Sequence, residues 1–171
     1  ADYSTNSDGT TNTDFGTSPN YTPTAEYFRD PFAPQTTQEL KDGIDYYYDV
    51  TYNNGNGNVP EPSTYTSQIN LWDISAITDL SGVFMDKTDF NKNISGWNTS
   101  NVYNMTNMFH GATSFNQSLI GWNTGEVAYM TGMFKKASSF NQNLVAWNTE
   151  SVIDMKDMFN GASDFSGNLL R

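Results

Sequence analysis

Few side chains in this sequence could carry out chemistry. His110 is the only histidine, and the residues 25 positions before and after it are Met85 and Lys135. A position filled by such different side chains makes a poor general base, and we expect His110 to face solvent. The chain has no cysteine, so a Cys/His nucleophile pair is impossible, and nothing in the sequence supports a Ser/His triad. The sequence therefore predicts a protein that is not an enzyme.

Acidic residues and glycines do not form a convincing ligand site either. Asp154 and Asp157 have the i, i+3 spacing of a carboxylate pair, but glycine or asparagine stands 25, 50 and 75 residues before Asp157. A solvated helix face explains that pattern better than catalysis. The Asn/Gly tract at 53–58 is typical of a turn rather than of a phosphate loop, and no spacing matches a calcium loop. We expect no cofactor and no metal.

The charge of the chain limits its partners. Its net charge is −11, from 19 acidic and 8 basic residues, which argues against nucleic acid and anionic lipid. Residues 1–64 carry 10 acidic and 2 basic residues, a net charge of −8, so a protein partner should offer a basic surface. No apolar run is long enough to span a bilayer. The chain opens without a leader-like segment, which suggests a processed form.

A 25-residue repeat organises the rest of the chain. Aromatic residues recur at this interval without drift, and so do aliphatic and methionine residues. The invariant aromatic columns are Trp72, Trp97, Trp122 and Trp147, then Phe84, Phe109, Phe134 and Phe159, then Phe90, Phe115, Phe140 and Phe165. Columns that keep their residue type must meet the same packing demand four times, so we assign them, with the methionines between them, to the core.

The spacing within a repeat predicts a helix followed by a strand. Val152, Met155, Phe159 and Ala162 follow a helical stripe, and Gly161 stands where that helix should end. The short apolar segment before each following tryptophan suits a strand. The strands should be centred near Ile69, Ile94, Leu119, Leu144 and Leu169. The fold class is therefore predicted as α/β, a short solenoid of four helix–strand repeats with about five short parallel strands.

The repeat also has a recognisable motif. It reads Phe115-Asn116-Gln117-x-Leu119-x-Gly121-Trp122-Asn123-Thr124, followed by Val127-x-x-Met130-x-x-Met133-Phe134-x-x-Ala137-x-x-Phe140-Asn141-Gln142. This resembles the mycoplasma surface-lipoprotein repeat, which is related to BspA-like leucine-rich repeats and also occurs in marine bacteria and algae. The resemblance covers residues 65–171 and departs from the pattern only in the end repeats. It implies a leucine-rich-repeat-like solenoid, often on cell surfaces, with protein binding as its role.

The first third of the chain differs from the repeats. Residues 1–35 are polar with scattered aromatics and are expected to form an extended arm. Residues 36–64 should hold a capping helix near 37–50, opened by a capping box at Thr36-Thr37-Gln38-Glu39, and a Gly/Asn/Pro loop. Residues 65–171 form the repeat region. The helix should cover the N-terminal end of the solenoid.

The chain has five glycosylation sequons, at Asn20 in the arm and at Asn93, Asn98, Asn104 and Asn116 in the repeats, and the Asn98 column indicates a different role. Asn98 aligns with Asn123 and Asn148, which are not in sequons. The column therefore predicts a structural task for this side chain.

Two regions could bind a partner. Aromatic side chains of the arm could anchor it, and an apolar column beside the inward aliphatic column should point outward and form a ridge. The candidate residues are Tyr21, Tyr27, Phe28 and Phe32 in the arm, and Ile120, Val145, Leu169 and Leu170 on the ridge and the C-terminal edge. Burial of the ridge in a bulged strand is the alternative.

Two functions fit these features. The first is a protein-binding or scaffolding module on a cell surface or in a secreted, adhesion-type assembly. The second is a small accessory subunit of a hetero-oligomeric membrane complex, for example an algal photosynthetic complex such as photosystem I, peripheral to the thylakoid membrane of the chloroplast. An apolar C-terminal edge that needs a cover favours the second function.

Overall fold

The computed structural model describes residues 32–48 and 69–167. In these ranges the chain has one α-helix, α1 (Thr37–Tyr48), and one 3-10 turn (Ile69–Leu71). The rest of the described chain is built from reverse turns and short extended links, joined by three isolated parallel bridges. The bridges pair Asp79 with Asn104, Asn104 with Tyr129, and Tyr129 with Asp154.

Helix α1 begins as the sequence predicts. The Thr36 hydroxyl accepts a hydrogen bond from the Glu39 amide at 3.1 Å, and the Glu39 carboxylate accepts one from the Gln35 amide at 2.7 Å. The first bond satisfies an amide that a helix start leaves without a partner, and the second ties the residue before the N-cap to the first turn. Leu40 and Ile44, four residues apart on one face, are fully buried. The helix expected near 37–50 is thus confirmed.

Helix α1 and the residues before it cover the first repeat. The Thr37 hydroxyl donates to the Asp79 carbonyl at 2.8 Å, and the Phe32 carbonyl accepts from the Asp73 amide at 2.9 Å. The Phe32 ring meets Trp72 edge-on, with centroids 4.6 Å apart. The apolar face of α1 therefore closes the N-terminal end of the repeat region.

The repeats stack as successive coils of chain, and we use "coil" for one 25-residue repeat. Coils 1 to 4 begin at Trp72, Trp97, Trp122 and Trp147. Centroids in the column of Phe84, Phe109, Phe134 and Phe159 are 5.3–5.6 Å apart, with planes within 5° of parallel. Methionines of coils 2 and 3 are fully buried beside these rings. The core assignment of the aromatic and methionine columns is confirmed in coils 1 to 3.

The helix expected in each repeat is not present, and the hydrogen bonds show why. Alternate amides donate forward to the next coil, while those between them donate three residues back and close reverse turns. The forward bonds of coil 1 run from Leu80 to Asn104, Gly82 to Thr106, Phe84 to Met108 and Asp86 to His110, at 2.8–3.0 Å. Reverse turns and a helix both return apolar side chains to one face every three or four residues. The spacing of apolar residues therefore could not distinguish consecutive turns from a helix.

The five predicted strands are also wrong. The segments at Ile94, Leu119 and Leu144 close turns, because each of these carbonyls accepts the amide of the tryptophan three residues later. Ile69 belongs to the 3-10 turn, and Leu169 lies outside the described residues. Parallel pairing occurs instead at the Asp79 column, one residue per coil. The described repeats are therefore not helix–strand units of the leucine-rich-repeat kind.

Left-handed backbone explains two columns that vary in residue type. The two columns are Gly82, Asn107, Gly132 and Asp157, and Asp86, Gly111, Lys136 and Gly161. At all eight positions, four of which are glycine, φ lies between +55° and +79°. Glycine, asparagine and aspartate tolerate this conformation best, so the Asp157 column is a turn position rather than a solvated helix face. Gly111 and Gly161 are left-handed as expected, but within turns.

Side-chain amides tie neighbouring coils together. The Asn91 Oδ1 atom accepts the Asn116 amide at 3.0 Å, and Asn116 does the same for Asn141 at 2.9 Å. Asn98 Oδ1 accepts the Ser100 amide at 3.1 Å, within its own coil. The structural task predicted for Asn98 is therefore confirmed, and it is the closing of an Asx turn.

Candidate protein-binding surface

The predicted ridge is partly exposed. The Leu119 carbonyl accepts the Trp122 amide at 3.1 Å, which places Ile120 in the middle of a turn. Leu119 and Trp122 point inward and are buried, while the Ile120 side chain is 48% exposed and Val145, in the same position of the next coil, is half-buried. The ridge points outward as expected, but turn geometry rather than strand alternation is the reason.

A second apolar patch was not anticipated. Tyr103 and Tyr129 meet edge-on with centroids 5.3 Å apart, and Ile153, 73% exposed, occupies the Tyr103 position two coils later. A hydrogen bond with Tyr129 raises the pKa of Tyr103. We call Tyr103, Tyr129 and Ile153 the tyrosine patch. The residue types gave no clear signal for it, because Thr78 and Ala128 complete the Tyr103–Ile153 column.

Coil 4 exposes apolar side chains whose counterparts in the other three coils are buried. Met155 is 37% exposed and Phe159 is half-buried, whereas Met130 and Phe134 in the same columns of coil 3 are fully buried. Val152 and Phe165 are likewise half-buried.

Backbone amides of coil 4 are open at the same face. The amides of Met155, Asp157, Phe159 and Gly161 occupy the positions that donate forward in coils 1 to 3. None of these four amides has a partner in the part of the chain that the structure describes. We call this face, with its four amides and the side chains of Met155, Phe159 and Phe165, the donor edge.

The charge at the donor edge is mainly negative. Lys135 of coil 3 pairs with Asp157 at 3.1 Å, and this contact holds the pKa of Asp157 below its ordinary value. Residues 147–167 contain four acids and one base, Lys156. The acids are Glu150, Asp154, Asp157 and Asp164. An approaching surface that is neutral or basic fits this charge best.

The sequence-predicted binding residues fall into three groups. Ile120 and Val145 form an outward ridge. Phe32 packs against Trp72 and therefore contributes to the cap at the N-terminal end. The remaining candidates lie outside the described residues, and they are Tyr21, Tyr27, Phe28, Leu169 and Leu170.

His110 differs from its expected position. The residue is half-buried rather than exposed, and its Nε2 atom is buried with no hydrogen-bond partner among the described residues. In residues 32–48 and 69–167, no group of three histidine, aspartate or glutamate side chains is placed to hold a metal ion. Within the same ranges no helix is both long and apolar enough to cross a membrane.

Comparison with known proteins places the repeats in a family. No curated protein and no solved structure matches the chain at a level that shows a relative. One family model matches residues 57–171, more than half of the chain, and it includes all four coils. The mycoplasma-type repeat predicted from the motif is thereby confirmed. The chain belongs to the family described as Mycoplasma protein of unknown function, DUF285.

Proposed function

We propose that this protein is a non-enzymatic protein-binding module that acts as a scaffold. The observation that carries the proposal is the set of apolar surfaces on a closely packed framework. Stacked rings and ladder hydrogen bonds hold the coils in register, so side chains on their outer faces keep fixed relative positions. Fixed, adjacent apolar groups are what a protein partner can bury at little cost in ordering.

The tyrosine patch gives the proposal its most specific surface. Tyrosine is enriched at protein interfaces because it offers a large apolar area together with a hydrogen-bonding hydroxyl. Ile153 brings the patch onto coil 4, the coil that also carries the donor edge. A partner with an apolar centre and a basic rim would match both the patch and the acidic surroundings.

Membership in the DUF285 family supports a place at a cell surface, because the repeat resembles those of mycoplasma surface lipoproteins. We therefore propose a surface or secreted setting, with adhesion as the broad class of role. The acidic segment of residues 1–64 would strengthen attraction to a basic partner at low salt.

The exposed apolar face of coil 4 supports a second candidate function. A subunit of a larger complex would have such a face covered by its neighbour, and half-buried phenylalanines are suited to a permanent contact. Migration of the native protein in a complex that survives high salt and mild detergent would favour this function over reversible adhesion.

To test the leading function, the tagged full chain is used to capture partners at the surface of the source cell. The captured proteins are cross-linked to the chain and identified by mass spectrometry. The informative variants are Ile153→Asp with Tyr103→Ala, and Ile120→Asp with Val145→Asp. Thr88→Asp, which adds an acid at an exposed position outside both surfaces, is the matched control. Loss of specific cross-links in either double variant, but not in the control, supports the proposal. Equal recovery of these cross-links in both double variants and in the control would overturn the proposal.

A further inference from the structure

The tyrosine patch combines an apolar surface, an open backbone donor and acidic neighbours, and these fit one kind of partner. We propose that it binds a basic, proline-rich segment of a partner protein, held in the polyproline II conformation and laid along the stack of coils. This role deepens the proposed protein-binding function and rests on it. It concerns the outer face of coils 2 to 4 alone and leaves the donor edge and the Ile120 ridge aside.

A backbone amide is left open beside Tyr129. In coils 1, 2 and 4 the side chain of this column accepts the amide two residues later at 2.7–3.0 Å and closes an Asx turn. The pairs are Asp79 with Ser81, Asn104 with Thr106, and Asp154 with Lys156. Tyrosine cannot close this turn, and the Thr131 amide of coil 3 has no partner among residues 32–48 and 69–167. The packing of the coils therefore does not explain why a tyrosine stands here.

Three large side chains form a continuous apolar surface beside this amide. Tyr103 and Tyr129 meet edge-on, with centroids 5.3 Å apart. Ala128 lies between Tyr103 and Ile153 in their column and is only 2% exposed, so its larger neighbours close over it. The parallel bridges hold neighbouring coils about 4.7–4.9 Å apart. Tyr103 and Ile153, two coils apart, are therefore separated by about 9.4–9.8 Å along the stack.

This separation matches the repeat of a polyproline II helix. Such a helix has three residues per turn and rises about 3.1 Å per residue, so it returns the same face every ~9.3 Å. Residues i and i+3 of a segment laid along the stack would contact Tyr103 and Ile153, with Tyr129 between them. Because polyproline II has no internal hydrogen bonds, a carbonyl of the segment is free to accept the Thr131 amide.

Other peptide conformations fit these features less well. In an extended strand residues i and i+3 point to opposite faces, so both cannot contact the patch. An α-helix repeats its face about every 5.4 Å, but its interior carbonyls already accept amides of the helix itself. The Thr131 amide would then stay without an acceptor.

The charge around the patch favours a basic segment. The bridges place Asp154 beside Tyr129 in coil 4, and Asp79 lies in the same column two coils the other way. Glu126, three residues before Tyr129, adds a third acid, against which stands Lys156. Arginines that flank the prolines can pair with these carboxylates and lie over the tyrosine rings. A neutral oligosaccharide could contact the rings but would make no use of the acids.

The test uses the full chain and synthetic peptides. The probe is a twelve-residue peptide of four Pro-Pro-Arg units, and the matched control has four Gly-Ser-Arg units, with the same length and charge. Isothermal titration calorimetry should show the proline peptide binding at least about tenfold more tightly, because its backbone is already held in the bound conformation. The NMR signal of the Thr131 amide should shift in this complex.

Tyr129→Asn is the decisive variant, since it removes one ring of the patch and introduces the residue that caps the same turn in coil 2. We expect it to bind the proline peptide at least about tenfold more weakly while keeping or raising the melting midpoint, because the Thr131 amide gains an acceptor. Tyr103→Ala should weaken binding in the same way. Ile120→Ala, an exposed side chain outside the patch, is the control and should leave the affinity unchanged.

Several results would overturn the inference. They are equal affinity for the two peptides, no binding of either, full affinity in Tyr129→Asn, and binding of maltohexaose in place of the proline peptide. If the peptides fail but Ile153→Asp with Tyr103→Ala still loses its cross-links in the capture experiment, the proposed function stands with a partner of another kind. Unchanged cross-links in that double variant would count against the tyrosine patch as a binding surface altogether.

Discussion

The indole N–H of Trp122 donates a hydrogen bond to the backbone carbonyl of Ile94, which is 3.2 Å away and lies 28 residues earlier in the chain. Trp97 and Trp147 make the same bond to the carbonyls of Ile69 and Leu119, at 2.7 and 3.0 Å. Each indole thus fills the core and donates a second hydrogen bond to a carbonyl that already accepts the backbone amide three residues later in its turn. The tryptophan column therefore sets the register between coils as well as their packing.

Substitutions at Trp122 should distinguish the contribution of its ring packing to stability from that of its indole hydrogen bond. Trp122→Phe keeps an aromatic ring but removes one of the two hydrogen bonds that the Ile94 carbonyl accepts, so we expect a loss of about 0.5–1.5 kcal/mol in the free energy of unfolding. Trp122→Ala also opens a cavity and should cost about 3–5 kcal/mol. Urea denaturation measures both. Ile120→Ala, two residues away and exposed, is the control and should change stability by less than about 0.5 kcal/mol. Equal midpoints for the phenylalanine variant and wild type would contradict this account.

Lys136 is expected to be a site of strain. Its φ is +60°, a left-handed conformation that costs a residue with a side chain about 1–2 kcal/mol. Lys136→Gly should therefore raise stability by about 0.5–1 kcal/mol, part of the gain being offset by the greater freedom of glycine in the unfolded chain. Lys135→Gly is the matched control. Its backbone is not left-handed and its side chain pairs with Asp157, so thermal denaturation should show a lower midpoint. A lower midpoint for Lys136→Gly as well would refute the strain argument.

The Lys135–Asp157 pair should make stability depend on pH in the acid range. Because the pKa of Asp157 is lowered by Lys135, the folded state binds this proton more weakly than the unfolded chain does. The pair therefore stabilises the fold above the ordinary carboxylate pKa, and this contribution is lost as the pH falls through the lowered pKa. Asp157→Asn, which still tolerates the left-handed backbone, should have a lower melting midpoint at pH 7. The difference should shrink as the pH falls below the ordinary carboxylate pKa, and a constant difference across that range would speak against the pair.

The sequence predicted the core better than it predicted the secondary structure. Invariant columns such as Phe109 and Phe134 reflect packing against identical neighbours, and that demand is visible in spacing alone. The forward bond from Leu80 to Asn104 is not visible, because it joins backbone atoms and leaves no mark on residue type. A clue did exist in Gly82 and Asn107, since glycine alternating with asparagine in one column indicates positive φ rather than a helix interior.

The binding surface was partly predictable for the same reason. Ile120 was identified because it stands beside an invariant inward column. The tyrosine patch was missed because its columns mix residue types, and only the fold brings Tyr103 and Tyr129 into contact. The open amides of coil 4 occupy the positions that donate forward in coils 1 to 3, and the expected helices would have paired these amides within their own repeat.

His110 is expected to be dispensable for stability. Its Nε2 atom is buried without a hydrogen-bond partner, and such an atom carries a desolvation cost of about 1–3 kcal/mol. His110→Met, which introduces the residue of the same column in coil 1, should keep the melting midpoint or raise it. The free energy of unfolding from urea titration decides the matter. A clear loss of stability, or loss of a catalytic activity of the wild-type chain, would show that the imidazole has a role that this position does not suggest.

The asparagine ladder provides the last prediction. Asn116 Oδ1 accepts two hydrogen bonds from coil 3, from the Asn141 amide at 2.9 Å and from the Gln142 side chain at 2.8 Å. Asn116→Ala removes both and should lower the free energy of unfolding by about 1–2 kcal/mol. Asn116→Asp keeps an acceptor oxygen at the same place and should lose much less. Hydrogen exchange supplies a local readout, because the Asn141 amide should exchange faster in the alanine variant and near the wild-type rate in the aspartate variant. Equal exchange in the two variants would mean that the ladder does not hold coil 2 to coil 3.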